Sequence, residues 1–351
     1  MKNRILFLVI QVLLSSFAFA QSDSATTDQY WEEMIAAIRD NNFQRADSIL
    51  ENKFDVNTLH SSGLNLLAFT QVHGWGDGEN YLKEKGANNS SMPSLESFAD
   101  YTYKSFSEAG STGMAVLVAH EGKILLQKGY GFADIEKHKP FTTQTPVRIA
   151  SVTKNITAAA ILKLVEQKKL TVDTPVATFF PDFPKGKQIT VHQLLTHTSG
   201  LYNFEGAAAY EKLLTTQHDN QSLYNLIQEG GYQAAPNETW AYSNPGYLLL
   251  GMLIEKVSGM RYNAFIQKNL FAPLKITQTG IFEEQSLENK KAMGYEVDPN
   301  QKVTLAIEGN AAQAGAAGGL YSTVDDLYIW AKNLFEGNVL KSSSMKKMDS
   351  N

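Results

Sequence analysis

Two short segments of the chain, Ser151–Lys154 and Tyr242–Asn244, carry side chains that could do hydrolytic chemistry. A serine hydroxyl attacks a carbonyl at neutral pH only when a neighbouring group takes its proton. Lys154 follows Ser151 by three residues, so on a helix the two side chains share a face. The second segment adds a phenol and an amide that could complete a proton relay and hold a substrate. We therefore predict a serine hydrolase.

Each segment also has an interpretation that involves no chemistry. A serine at the start of a helix can simply cap it, and Ser343 and Ser344 are also followed by a lysine three residues later. Asn244–Gly246 has the composition of a turn, in which Tyr242 would only pack. Lys154 is harder to explain, because a lysine in the first turn opposes the helix dipole and, if buried, must lose its charge or find a partner. The nucleophile hypothesis thus depends on the burial of Lys154.

Apolar helices and a hairpin should position these segments. Apolar residues recur every four positions after the serine: Val152, Ile156, Ala160 and Leu164. We expect this helix near the centre of the domain, because it is apolar over most of its circumference. Further helices are predicted at 95–109, 191–195, 245–259 and 325–335, the last capped by Ser322. Strands at 114–120 and 123–128 predict a hairpin, and their apolar residues on both faces predict a covered sheet.

From Asp100 to about Asn338 the chain resembles the serine β-lactamase and penicillin-binding protein superfamily, specifically its class C β-lactamase-like branch. Besides the two segments above, the stretches that match are 129–134, 146–150, 169–176, 194–201, 247–251 and 318–323. The resemblance implies an α/β (α+β) fold of the β-lactamase/DD-peptidase type, with a helical subdomain and an antiparallel sheet. It also implies a small-molecule or peptide substrate and no cofactor.

The resemblance assigns catalytic and binding roles residue by residue. Ser151 would be the acylated nucleophile, and its backbone N–H would donate to the oxyanion. Lys154 would take the serine proton, alone or coupled with Tyr242, and Tyr242 would relay a proton to the leaving group. Asn244 would bind substrate by hydrogen-bonding the amide on the acyl side. We interpret His197 as structural, and no Gly-x-Ser-x-Gly elbow occurs to support a Ser-His-Asp triad.

The chain departs from the family after Thr323, where the third motif, Lys/His-Thr/Ser-Gly, does not occur. We therefore expect a hydrolase domain that lacks its C-terminal strands and is incomplete at the C-terminus. Two other hypotheses stay open for this reason: a catalytically impaired penicillin-binding protein, and an interaction protein led by its N-terminal unit. Within the hydrolase hypothesis a peptidase or esterase is favoured over a dedicated β-lactamase, because nothing in the motifs selects lactams.

The first twenty residues predict a secretory signal. Lys2 and Arg4 form a basic start, 5–14 is an apolar run, and Ala18–Ala20 is a small-x-small cleavage site. The alternative, a membrane anchor, is disfavoured because the apolar stretch is shorter than the roughly 20 residues that span a bilayer. We therefore expect a periplasmic or secreted protein with no membrane span in the mature chain.

Residues 30–90 predict a separate helical unit that resembles ankyrin repeats. Lys53–Asn57 and Gly86–Asn88 resemble the turn that ends a repeat, and they are about 33 residues apart, the ankyrin period. About three repeats are needed to bury their faces, and fewer than two are present. We therefore predict a packing or spacing unit docked on the main domain, with protein contact through the unit as the alternative.

Composition disfavours several classes of function. The net charge of −5 argues against nucleic acid and anionic membrane surfaces as partners. The chain has no cysteine, and its seven histidines lack metal-ligand spacing, so we expect neither a disulfide nor a metal site. The predicted organisation is a signal peptide at 1–20, an ankyrin-like unit and linker at 21–92, and a hydrolase domain at 93–351.

Overall fold

The computed structural model describes residues 27–51, 54–60, 63–88, 94–107, 110–203, 219–281, 290–298, 302–306 and 311–349. The chain divides into two compact units, Met1–Ser111 with Val118–Gly131, and Thr112–Leu117 with Phe132–Asn351. The predicted signal peptide at 1–20, Lys53 and most of the predicted linker at 88–93 lie outside the described residues. The signal peptide, the ankyrin register and the boundary at residue 93 therefore stay predictions.

The first unit is mainly helical. Its helices are α1 (Thr27–Arg39), α2 (Phe43–Glu51), α3 (Leu66–Val72), α4 (Gly76–Glu84) and α5 (Leu95–Thr102). α5 is shorter than the predicted helix at 95–109, because a separate 3-10 turn at Lys104–Ser107 follows it. Trp31, Met34 and Leu82 are fully buried, so these helices enclose a core of their own.

A side-chain bridge joins the two turns that resembled ankyrin turns. The Asn57 amide donates to the carbonyl oxygen of Gly86 at 3.2 Å, and its Oδ1 accepts from the N–H of Asn88 at 2.9 Å. Asn65 caps α3 and donates to the carbonyl oxygen of Asn88 at 3.1 Å. These bonds satisfy backbone groups between the helix pairs, and the relation to ankyrin repeats itself stays a prediction.

The predicted hairpin is present as β1 (Met114–His120) and β2 (Lys123–Tyr130), which form a two-stranded sheet. Glu121 and Gly122 both have positive φ, as the tight hairpin turn requires. The expectation of a covered sheet is wrong in the described residues, since Ile124 is 38% and Leu125 51% exposed. In this hairpin, apolar residues on both faces of the strands do not mean that both faces are buried.

The remaining strands and helices lie in the second unit. The antiparallel pairs are β3 (Phe132–Asp134) with β4 (Lys139–Pro140), β5 (Val147–Arg148) with β8 (Tyr321–Ser322), and β6 (Tyr295–Val297) with β7 (Val303–Leu305). The helices are α6 (Thr153–Glu166), α7 (Val191–Leu195), α8 (Asn220–Gly230), α9 (Asn244–Ser258), α10 (Tyr262–Ile266), α11 (Gly315–Gly318), α12 (Val324–Phe335) and α13 (Ser342–Asp349). The predicted helices at 191–195, 245–259 and 325–335 are confirmed to within one residue at each end.

Helices α6 and α9 form the centre of this unit. Ile156, Ala160 and Leu164 of α6 are fully buried, which confirms the predicted central helix. Every residue of α9 from Asn244 to Ile254 is buried as well. A Cβ added at Gly251 of α9 would lie 2.6 Å from the Cβ of Ala316, so glycine at this position is what lets α11 pack against α9.

The cap of α12 differs from the prediction. Thr323, not Ser322, is the N-cap, and its hydroxyl accepts from the N–H of Asp326 at 3.1 Å. The Ser322 hydroxyl instead pairs with that of Thr279 at 2.7 Å in a fully buried position. Both residues are hydroxylated, so only the point at which the chain turns helical decides which of them caps.

The described ranges contain neither a membrane-spanning helix nor a group of metal-binding side chains. None of the helices there has the length and apolar character that crossing a bilayer requires. Nor does the same part of the chain bring together three histidine, aspartate or glutamate side chains in a group that could hold a metal ion.

Candidate active site

Ser151 lies on a sharp connection between β5 and α6. The N–H of Ile149 donates to the carbonyl oxygen of Leu320 at 3.0 Å, which continues the pairing of β5 with β8. A 3-10 turn at Ala150–Val152 then leads directly into α6. Ala150 has φ +42, a conformation that few residues other than glycine adopt. This bend leaves Ser151 exposed at the start of a buried helix.

The Ser151 side chain does not cap the helix. Val152 is the N-cap of α6, and no side chain makes a capping hydrogen bond there. The Ser151 Oγ instead accepts from Lys154 Nζ at 3.2 Å and from the Tyr242 hydroxyl at 2.6 Å. The capping interpretation of this serine is therefore wrong, and its hydroxyl lies between two groups able to exchange a proton with it.

Lys154 is buried, as the nucleophile hypothesis required, with 6% of its surface exposed. Its Nζ donates to Asn244 Oδ1 at 2.7 Å and to the carbonyl oxygen of Ala317 at 2.6 Å, in addition to Ser151. The Nζ also lies 4.7 Å from the centroid of the Tyr242 ring. Aromatic faces attract cations, so this environment compensates part of the cost of burying the amine.

Asn244–Gly246 is the first turn of α9, close to the predicted start of the helix at 245, and not the isolated turn of the alternative interpretation. Ser243 is the N-cap of α9, and its hydroxyl accepts from the N–H of Gly246 at 3.1 Å. Pro245 lies in the first turn, where its missing N–H has no cost. The cap fixes the backbone at the start of α9 and so the directions of the Tyr242 and Asn244 side chains, which both point to the start of α6.

Asn244 contacts Lys154 and a loop residue. Its Oδ1 accepts from the lysine amine, and its N–H donates to Asn203 Oδ1 at 3.3 Å. The structure thus places all four predicted site residues together, with Asn244 beside the amine. The predicted contact of Asn244 with a substrate amide stays a prediction.

Two other residues, Ala317 and His197, contact the predicted site residues. The Ala317 carbonyl is an acceptor for Lys154. The only sequence signal for it is the Gly-Ala run of α11, whose small residues allow another element to approach the backbone closely. His197 contacts the Tyr242 segment: its Nδ1 accepts from the N–H of Ser243 at 3.1 Å, and its ring centroid lies 4.6 Å from that of Tyr242. Burial, and next the charge of Lys154, lower the pKa of His197 to about 4.

Exposed apolar side chains lie next to residues of the site. Trp240 is 65% exposed, and its ring lies 6.0 Å edge-on from that of His197. Val152, directly after Ser151, and Tyr202, directly before Asn203, are exposed as well. Ser151 itself is exposed, and apolar side chains adjoin Ser151, His197 and Asn203.

Comparison with known proteins places this arrangement in a family. The model of the Beta-lactamase family matches residues 96–351, which include all four site residues. PbpX of Bacillus subtilis (strain 168) is 33% identical over 242 residues, which cover 69% of this chain and 59% of PbpX. The chain therefore spans well under two thirds of the length of that curated relative.

Solved structures agree with the family match. A penicillin-binding protein homologue from Pyrococcus abyssi, described as octameric, superposes with a TM-score of 0.63 at 31% identity, covering 73% of this chain and 59% of that one. The D-amino acid amidase from Ochrobactrum anthropi SV3, complexed with L-phenylalanine amide, superposes with a TM-score of 0.62 at 28% identity, covering 70% of each chain. The predicted α+β fold of the β-lactamase/DD-peptidase type is confirmed by these neighbours. On the family match, the fold and the conjunction of serine, lysine and tyrosine, this chain belongs to the beta-lactamase family of serine hydrolases.

Proposed function

We propose that this protein hydrolyses ester, amide or β-lactam substrates through an acyl-enzyme on Ser151. The observation that carries the proposal is the position of the Ser151 Oγ, 2.6 Å from the Tyr242 hydroxyl and 3.2 Å from Lys154 Nζ. A serine needs a proton acceptor at this distance to become a nucleophile. Membership of the beta-lactamase family supports the same chemistry.

Acylation requires one proton to move from the serine to the leaving group. As Ser151 Oγ bonds to the carbonyl carbon, its proton passes to Lys154 Nζ, or to the Tyr242 oxygen with the lysine charge beside it. Collapse of the tetrahedral intermediate breaks the bond between the carbonyl carbon and the leaving group, which takes the proton through Tyr242. Water then adds to the acyl carbon, and Ser151 leaves with a proton as the acid is released.

The backbone at Ser151 suits the negative charge that develops on the carbonyl oxygen. Ser151 is the second residue of the helical turn that leads into α6, and the first N–H groups of a helix lack an acceptor within it. Its N–H is therefore the donor we propose for the oxyanion. Losing one such donor typically slows an enzyme by roughly 10²- to 10³-fold.

Lys154 and Asn244 act as a pair in this proposal. The Asn244 Oδ1 and the Ala317 carbonyl fix the amine from two sides, which leaves its third bond direction for Ser151. In its neutral form the amine donates its two N–H groups to these oxygens and directs its lone pair to the serine hydroxyl, so it accepts the proton with little loss of entropy. Binding of the substrate amide by Asn244 is part of the proposal.

For the substrate we propose an amide or ester and not a lactam alone. The amidase neighbour is named for D-amino acid amides, and PbpX and the Pyrococcus abyssi neighbour are named as a putative penicillin-binding protein and a penicillin-binding protein homologue. The exposed side chains of Trp240, Val152 and Tyr202 favour substrates with an apolar group next to the scissile bond. Comparing the hydrolysis of D- and L-phenylalanine amide, a p-nitrophenyl ester and a penicillin ranks these classes.

Intact mass spectrometry tests the acyl-enzyme. The full chain is incubated with a fluorescent penicillin or with a fluorophosphonate, and the adduct is located by peptide mapping. A stoichiometric adduct on Ser151 that is absent from Ser151→Ala supports the proposal, and Ser343→Ala is the matched control. Folded protein that gives no adduct with either probe contradicts it.

The alternative is a penicillin-binding protein that is acylated and turns over slowly or not at all. The support for this alternative is that relatives are named as penicillin-binding proteins. A penicillin adduct that persists for hours, with no release of product from amides or esters, supports this alternative. A short-lived adduct and steady product release support the hydrolase.

We also propose that the protein works outside the cytoplasm. The pattern at 1–20 supports export, although these residues lie outside the described part of the chain. The N-terminal sequence of the protein recovered from fractionated cells tests the proposal. A periplasmic or secreted protein that starts at Gln21 supports it, and an intact Met1 start in the cytoplasm contradicts it.

A further inference from the structure

One residue, His197, holds the backbone on both sides of Tyr242. Its carbonyl oxygen accepts from the N–H of Ala241 at 2.8 Å, and its Nδ1 accepts from the N–H of Ser243 at 3.1 Å. Its ring packs against the Tyr242 ring at 4.6 Å with an angle of 33° between the planes. The direction of the phenol therefore depends on three contacts with the same residue.

The backbone of His197 is bent so that these contacts are possible. It follows α7 and has φ +60, in the left-handed region that residues other than glycine seldom occupy. The N–H of Thr198 donates to the carbonyl oxygen of Gln193 at 2.9 Å, which closes the end of the helix around it. In this conformation both the carbonyl and the imidazole of His197 face the segment before α9.

The contact at Nδ1 requires a neutral imidazole. Only the neutral ring has a nitrogen that accepts, because both nitrogens donate in the protonated form. The ionisable groups that face the ring are Lys154 of α6, Tyr242 of the segment itself and Tyr247 of α9. Burial and the lysine charge lower the pKa of His197 to about 4, so the ring is neutral in neutral solution.

We propose that His197 is a positioning residue for the reaction at Ser151: through its carbonyl oxygen and Nδ1 it fixes residues 241 and 243 and so holds the Tyr242 phenol on the serine. The inference rests on the proposed function, because it assigns His197 a part in delivering the phenol. It differs from a general structural role in that the contribution of the side chain depends on one acceptor atom, Nδ1. The imidazole itself takes no proton in the reaction.

Two substitutions separate the acceptor from the ring. His197→Phe keeps an aromatic ring against Tyr242 and removes the acceptor. His197→Asn removes the ring, places an amide oxygen close to the position of Nδ1, and suits the left-handed backbone. His192→Phe, on the exposed face of α7, is the matched control.

The first readout is the rate of adduct formation on Ser151. We expect it to fall by about 100-fold in His197→Phe, the effect of misplacing a reacting group by about 1 Å. His197→Asn should recover most of the rate, and His192→Phe should keep all of it. An unchanged rate in His197→Phe, or an Asn variant as slow as the Phe variant, overturns the proposal.

The second readout needs no substrate, and the titration itself is done on the wild-type protein. With ¹³C-labelled tyrosine, the Tyr242 resonance, assigned with Tyr242→Phe, is followed together with the His197 ring as the pH of the wild-type protein is lowered. The Tyr242 signal should move with the same midpoint as His197, because protonation removes the acceptor of the Ser243 N–H. A Tyr242 signal that ignores the His197 titration overturns the proposal. A protein that shows this coupling and forms no adduct retains the positioning role and refutes the proposed hydrolase function instead.

Discussion

The Tyr242 hydroxyl lies 2.6 Å from the Ser151 Oγ, although 91 positions of sequence separate the two residues. Each residue stands just before the first turn of a buried helix, Ser151 before α6 and Tyr242 before α9, and these helices pack against each other. Two helix N-termini therefore converge on the two oxygens. The partial positive charge there favours a serine alkoxide or a phenolate and disfavours a second cation.

Replacing Tyr242 with phenylalanine should slow turnover by about tenfold or more, the low end of what a positioned acid–base group contributes. The ring and its packing against His197 are kept, so the free energy of unfolding should change little. Tyr247→Phe is the control, because its hydroxyl bonds to the carbonyl oxygen of Leu195 and not to the serine. Steady-state rates that are equal in Tyr242→Phe and wild type would remove the phenol from the mechanism.

Replacing Lys154 with methionine should lower the rate of acylation by about 100-fold or more, because the serine loses its proton acceptor or the cation beside it. Stopped-flow measurement with a fluorescent penicillin gives the rate. Lys163→Met is the matched control on the same helix, since Lys163 bonds to the carbonyl oxygen of Val339, outside the site. A Lys154→Met variant that acylates at the wild-type rate would leave Tyr242 as the sole base.

Replacing Gly251 with alanine should both destabilise the protein and impair the site. The new Cβ would lie 2.6 Å from the Cβ of Ala316, and overpacking of this kind costs about 1–3 kcal/mol. Because Ala317 follows on the same short helix, its carbonyl should move relative to Lys154 and acylation should slow. Gly246→Ala is the control in the same helix, where the nearest atom is 3.4 Å from the added Cβ. Denaturant unfolding and adduct formation that match wild type in Gly251→Ala would contradict this account.

Stability should fall with pH in a window set by His197. Burial, and next the charge of Lys154, lower its pKa in the folded protein from 6.5 to about 4. Between these values the unfolded chain binds the proton more readily, so the free energy of unfolding decreases as the pH falls. His197→Asn lacks this group, and its unfolding should depend less on pH from about 6.5 down to about 4. Equal slopes in the two proteins would mean that His197 is not the group responsible.

Much of the site could be predicted from the sequence because its parts are local. Ser151 and Lys154 share one helical turn, and the apolar repeat around Ile156 predicts a buried helix. Tyr242 and Asn244 were found as a motif, and their meeting with Ser151 followed only from the family resemblance. Residue types alone do not predict that the N-termini of α6 and α9 lie side by side.

The other features of the site and the fold depend on tertiary contacts, which no local sequence pattern predicts. The acceptor at Ala317 is a backbone atom, and the role of His197 depends on a left-handed bend. Thr323 caps α12 in place of Ser322, a choice that the point of helix entry decides. The sequence does not predict the exposure of Leu125, because apolar residues on both faces of a hairpin do not show whether another element covers them.

The bond from Lys154 to the carbonyl of Ala317 has a consequence for engineering. A side-chain acceptor can be deleted by a single substitution, whereas a main-chain oxygen survives every exchange at its own position. A mutational scan at residue 317 would therefore measure which side-chain sizes and shapes are tolerated there. It would understate how much the Lys154 amine depends on the carbonyl oxygen of that residue. On the acceptor side, this bond changes only when the path of the backbone shifts, as with a bulkier residue at 251.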